Sequence, residues 1–196
     1  FVYVDTGAMY RAMALYFLRE QIDPQDEQTV SEACTQIDIT LTYQEGVPCV
    51  LLNGENVNAF IRAEEVGILA SATSVYPAVR AKLTALQQKL AQTCNVIMDG
   101  RDIGTCVLPN AQVKIYLTAD VSARAKRRYE ELLKKGEAAD YAQIEADIKE
   151  RDYRDMHREI APLKQAEDAV LVDSSDLDLA QVSAVIREIY EKAAKE

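Results

Sequence analysis

The chain has 196 residues, which suits one domain with a small insert, and at 48% hydrophobic residues it can bury a real core. Its formal net charge of −10 argues against nucleic acid or an anionic membrane as a partner, since both want a basic face. Cys34, Cys49, Cys94 and Cys106 form no C-x-x-C pair, and the single His157 cannot complete a zinc site with them, so they read as ordinary thiols of a reducing, cytoplasmic setting. No stretch is long or apolar enough to span a membrane, and there is no signal peptide.

Short apolar runs alternate with longer helical patterns along the chain. Phe1–Val4, Val96–Met98, Val113–Leu117 and Ala169–Val172 read as buried strands, with helices expected near 7–20, 76–93, 120–135, 140–158 and 179–195. That rhythm predicts an α/β fold with a parallel sheet. Phe1 falls inside the first strand, so the start reads as cut rather than processed. Residues 35–62 break the rhythm. Ile37, Ile39, Leu41 and Tyr43 alternate, a Glu45-Gly46 turn follows, and Asn53-Gly54 is a hairpin signal, so a small antiparallel sheet is expected there as an insert.

Four clusters could carry chemistry. Asp5-Thr6-Gly7-Ala8-Met9-Tyr10-Arg11 follows the first strand and opens a helix. Asp5 or Thr6 is a natural N-cap, and Arg11, about one turn in, could reach a phosphate at the carboxyl edge of the sheet, where open α/β sheets bind ligands. Asp99-Gly100-Arg101-Asp102-Ile103-Gly104-Thr105 follows the Val96–Met98 strand. Its carboxylate could hold magnesium directly or through water, and Arg101 could grip phosphate bidentately. Arg124, Arg127 and Arg128 lie on the helix after Val113–Leu117, as a solvated basic face or as a phosphate-directed one. Arg151, Asp155 and Arg158 fall at i, i+4 and i+7 of a helix, as a stiffening ladder or as part of a phosphoryl-transfer site, where positioning and charge neutralisation do most of the work. No glycine is followed by lysine, so G-x-x-x-x-G-K-[ST] is absent from this sequence, as are G-x-G-x-x-G and G-x-S-x-G.

The strings D-T-G-A-M-Y-R (5–11), D-G-R-D-I-G-T (99–105), R-A-K-R-R (124–128) and K-E-R-D-Y-R-D-M-H-R-E-I-A-P-L (149–163) closely resemble the bacterial cytidylate kinases, as do Asp168-Ala169 and Asp173-Ser174-Ser175. The resemblance covers essentially the whole chain. It implies a nucleoside monophosphate kinase fold, α/β with a parallel sheet and a small antiparallel insert, in one domain with a monophosphate-binding insert at 35–75 and a lid region at 129–150. It implies transfer of the ATP γ-phosphoryl group to CMP or dCMP with Mg2+, by a cytoplasmic monomer that binds neither nucleic acid nor membrane.

By the same resemblance Thr6, Arg80 and Asp102 would read the cytosine edge. Arg11, Arg101 and Arg158 would hold the monophosphate, and Ser71, Arg151 and Asp155 the sugar. Asp99 would support magnesium through water, and Arg124 and Arg128 would approach ATP, so that Asp99, Arg101 and Arg128 form the catalytic set. The family opens with a strand, a phosphate loop and a helix that this sequence does not show. A central strand and helix are therefore expected to be missing, Phe1–Val4 to pair with Val96–Met98, Val113–Leu117 to pair with Ala169–Val172, and the chain as given to bind CMP weakly without measurable turnover. The alternative is a non-catalytic nucleotide-binding or interaction domain on the same frame.

Overall fold

The computed structural model describes residues 1–195. They divide into two compact units, Phe1–Ile103 and the remainder from Gly104 onward. Each carries one two-stranded parallel sheet, and the first also holds the antiparallel insert.

In the first unit β1 (Val2–Asp5) leads directly into α1 (Thr6–Arg19), because Asp5 sits in extended backbone and its carboxylate accepts the Ala8 amide at 2.9 Å, satisfying one of the helix's orphan donors. Thr6, Ala8, Met9, Ala12, Met13, Ala14, Leu15 and Phe17 of α1 are all buried, so this helix is the axis of the core. Around it lie α2 (Glu27–Cys34), α3 (Glu64–Thr73) and α4 (Pro77–Thr93), the last begun by a proline whose fixed φ suits a first turn. β5 (Val96–Asp99) pairs with β1 in parallel, Val2 opposite Val96 through Asp5 opposite Asp99.

The insert forms β2 (Ile39–Gln44), β3 (Val47–Leu52) and β4 (Glu55–Asn56), an antiparallel meander. Both of its tight turns use two residues with positive φ, Glu45 and Gly46 at 52° and 80°, Asn53 and Gly54 at 48° and 86°. These are the mirror-image turns that match strand twist. The Tyr43 hydroxyl donates to the Tyr3 carbonyl at 2.6 Å and so ties β2 to the β1 edge.

In the second unit β6 (Ile115–Thr118) pairs in parallel with β7 (Val170–Asp173). Helix α5 (Val121–Lys134) packs on α6 (Tyr141–His157), with Tyr129 edge-on to Tyr141, and α7 (Leu179–Ala193) closes the unit. Asp140 caps α6, and Asp178 with Gln181 makes a reciprocal capping box on α7.

Both expected strand pairings are found, and the strands run on to Asp5, Asp99, Thr118 and Asp173, one residue past the apolar runs. Helices α2 and α3 had no counterpart in the sequence reading, since each is short and only partly apolar. Residues Ile103–Val107 form a π-turn. Helix α6 ends at His157, and Arg158 is its C-cap in extended backbone, so it stands outside the helical stripe expected through 158. Among the described residues no helix is long and apolar enough to cross a membrane.

Candidate active site

At the carboxyl end of the β1–β5 sheet, parallel register sets Asp5 beside Asp99. Thr6, 3% exposed, donates its hydroxyl to the Asp99 carbonyl at 2.6 Å, which locks the start of α1 to the turn after β5. Three residues on from Asp99, Asp102 is buried and pairs with buried Arg80 of α4. Arg80 also donates to the Ser74 carbonyl at 3.1 Å, and its guanidinium lies 5.8 Å from the ring of Tyr10, one turn beyond Thr6. The three residues expected to read a base, Thr6, Arg80 and Asp102, are thus linked through α1, α4 and the turn after β5. All three are buried polar groups, and among such groups an unpaired charge would be costly.

Burial first, and then the charge of neighbouring Asp5, push the Asp99 carboxyl above its usual range, although the Tyr3 hydroxyl bonds to it. Burial, reinforced by Asp99 and Asp5, pushes the Tyr3 phenol up to about 12. Two carboxylates side by side at a strand end are what a hard divalent cation would relieve, and magnesium asks for only one or two protein carboxylates besides water and phosphate oxygens. Asp99 therefore fits the magnesium role, with Asp5 at its flank. Among the described residues there is no group of three or more acidic, cysteine or histidine side chains placed as a closed metal cage.

Arg11 lies half-buried on α1, Ser71 half-buried on α3, and Arg101 is exposed after β5. Sequence reasoning passed over Arg62. Its guanidinium reaches Asp5 at 3.2 Å, and it lines a cleft of about 200 Å³ with Tyr3, Tyr43 and Asn58 between β1 and the insert. Arginine is scarce between residues 12 and 79, with only Arg19 and Arg62, and that was the signal available.

In the second unit Arg124 of α5 bonds Asp152 of α6 at 2.6 Å and the Ala119 carbonyl at 2.9 Å. Arg128, one turn on and half exposed, rests on Glu131 at 3.0 Å. Arg127 instead turns to the loop after β7, donating to the carbonyls of Ser174 and, at 3.1 Å, Leu177. Asp155 and Arg158 are close, at 3.7 Å, with both side chains largely buried, and the Arg158 Nε donates to the Ala161 carbonyl at 2.8 Å. Arg151 stands exposed one turn before Asp155 on α6.

A cytidylate kinase family model matches residues 1–192. The chain belongs to the cytidylate kinase family. It is 46% identical over 195 residues to the cytidylate kinase of Caldicellulosiruptor bescii, covering 100% of this chain and 86% of that protein. The cytidylate kinase of Bacillus velezensis is 44% identical over 195 residues, covering 100% and 87%. Cytidylate kinase 1 of Haemophilus influenzae is 46% identical over 179 residues, covering 91% and 78%. Membership in the cytidylate kinase family makes this chain a nucleoside monophosphate kinase by class, a phosphotransferase with a mixed α/β fold.

Proposed function

We propose that this chain acts on CMP or dCMP, directing transfer of the ATP γ-phosphoryl group to give CDP or dCDP and ADP, with both units parts of one cytoplasmic, monomeric catalytic domain. The observation that carries the reading is the buried Arg80–Asp102 pair, with Thr6 bonded into the same turn after β5, in a chain whose relatives bear the name cytidylate kinase. A carboxylate can accept from the cytosine amino group, and a guanidinium can serve the ring nitrogen and carbonyl. Arg11, Arg101 and Arg158 hold the monophosphate, and Ser71, Arg151 and Asp155 the sugar. Arg124 and Arg128, on the lid region 129–150 and the helix leading into it, exchange their Asp152 and Glu131 partners for phosphate oxygens. Asp99 would hold magnesium, through water, and the bound ion would supply neutralisation of phosphate charge. The residues do little covalent chemistry and instead orient the acceptor oxygen and exclude water.

The test has two parts. Calorimetric titration of the chain is expected to rank CMP above UMP and AMP, and equal affinities overturn the reading. In the catalytically competent enzyme Arg101→Ala is expected to lower turnover by roughly a hundredfold, the effect of losing one charge-assisted contact to a phosphoryl group. A rate near wild type removes Arg101 from the site.

A further inference from the structure

Gly100 interrupts the acidic turn after β5, and its backbone lies outside the left-handed region, so no backbone conformation demands glycine there. What demands it is space. A Cβ at this position would overlap the Thr6 hydroxyl and crowd Ile103, with Ile103 Cδ1 at 2.9 Å and Cγ1 at 3.0 Å. The Ile103 side chain is flexible at its end and can give way. Thr6 cannot, because it is 3% exposed, sits at the first residue of α1, and is bonded to the Asp99 carbonyl at 2.6 Å.

That bond has a consequence for recognition. A threonine hydroxyl has one proton and two lone pairs. The proton is committed to Asp99, so towards a ligand Thr6 can only accept. Cytosine offers an amino group at the position where uracil offers a carbonyl. An acceptor-only hydroxyl matches the first and opposes the second. We infer that Gly100 is a positioning residue for base choice: by lacking a side chain it lets the Asp99 carbonyl hold Thr6 as a fixed acceptor, which favours an amino-bearing pyrimidine over an oxo-bearing one. The inference rests on the proposed CMP site and deepens it. Asp102 and Arg80 provide the rest of the edge, but each meets it with charge. Thr6 is the neutral member, whose polarity would otherwise be free to rotate.

The experiment is calorimetric titration of the full chain with CMP and with UMP, for wild type, Gly100→Ala, Thr6→Ala and the double variant. Wild type is expected to prefer CMP. Each variant is expected to lose about tenfold of that preference, the worth of one hydrogen bond, with UMP affinity little changed. The double variant is expected to be no worse than either single one, because truncating Thr6 removes the overlap. If Gly100→Ala keeps the wild-type ratio, or weakens CMP and UMP alike, the inference falls while the CMP site stands. If wild type itself does not distinguish CMP from UMP, the CMP reading fails and takes the inference with it. Should Gly100→Ala not fold, the double variant decides: with the Thr6 side chain truncated it is expected to fold and to match Thr6→Ala in its CMP-to-UMP ratio, and a double variant that also fails to fold overturns the inference.

Discussion

Arg62 and Arg80 both pair with an aspartate, yet their surroundings give the two pairs very different weights. The Arg62 side chain is 69% exposed at 3.2 Å from Asp5, whereas Arg80 and Asp102 are 6% and 8% exposed. Arg62→Ala is expected to change unfolding free energy by less than about 1 kcal/mol. Arg80→Ala, which takes the ion-pair partner from a buried carboxylate, is expected to cost about 3–5 kcal/mol, with Arg80→Ala/Asp102→Asn recovering part of it. Urea denaturation checks both.

Tyr3 gives a pH signature. Its folded-state pKa of about 12 lies above the ordinary value near 10, so between these the folded chain holds a proton that the unfolded chain has lost. Its contribution is complete below pH ~10 and is lost as pH rises through the folded pKa. Tyr3→Phe is expected to flatten that alkaline fall, followed by thermal melts across the range. An unchanged profile would show that the folded chain does not hold the phenol proton. None of this electrostatics was legible in the sequence, because Tyr3, Asp5 and Asp99 meet only through strand register. Thr6, Arg80 and Asp102 were singled out by the family resemblance and not by spacing. Arg62 carried no motif and was missed.

Among the helices, the longer ones were readable and the short ones were not. Both insert turns followed from their glycines, and the α1 N-cap from Asp5, since these are local rules. Helices α2 and α3 escaped because they are 8 and 10 residues long and are stabilised by packing on α1 and α4 more than by their own pattern. Helix α7 lies at the opposite extreme, with a complete capping box and, among the described residues, no fully buried side chain. Its definition rests heavily on its first turn. Asp178→Ala is expected to cost about 1 kcal/mol and to fray the helix from Leu179 onward, visible as a loss of helical circular dichroism.

For the whole molecule, apolar burial is uneven. The large cluster of Val4, Met9, Met13, Phe17, Val30, Ile37, Ile61, Val79 and Leu83 belongs to the first unit. In the second, α6 and α7 contribute no fully buried residue among those described. Local stability should follow that difference. Amide exchange is expected to be slowest in α1 and appreciably faster in α6 and α7. Equal protection would show that burial of side chains is a poor guide to opening here. Phe17→Ala, which empties a site with no exposure, is expected to cost about 3–5 kcal/mol.

The Asn53-Gly54 turn also makes this chain a slow chemical clock. An asparagine followed by glycine is open to attack on its side-chain amide by the next backbone nitrogen, because glycine puts nothing in the way. Here the folded hairpin restrains that cyclisation: the Asn53 side-chain oxygen accepts the Asp38 amide at 2.7 Å, and the Asn53 amide is bonded back to the Asp38 carbonyl at 2.8 Å. Cyclisation expels ammonia and leaves a succinimide that water opens to a carboxylate, so deamidation at Asn53 should report on hairpin opening, the extra negative charge accumulating in aged samples in proportion to the fraction of time the β3–β4 turn is open.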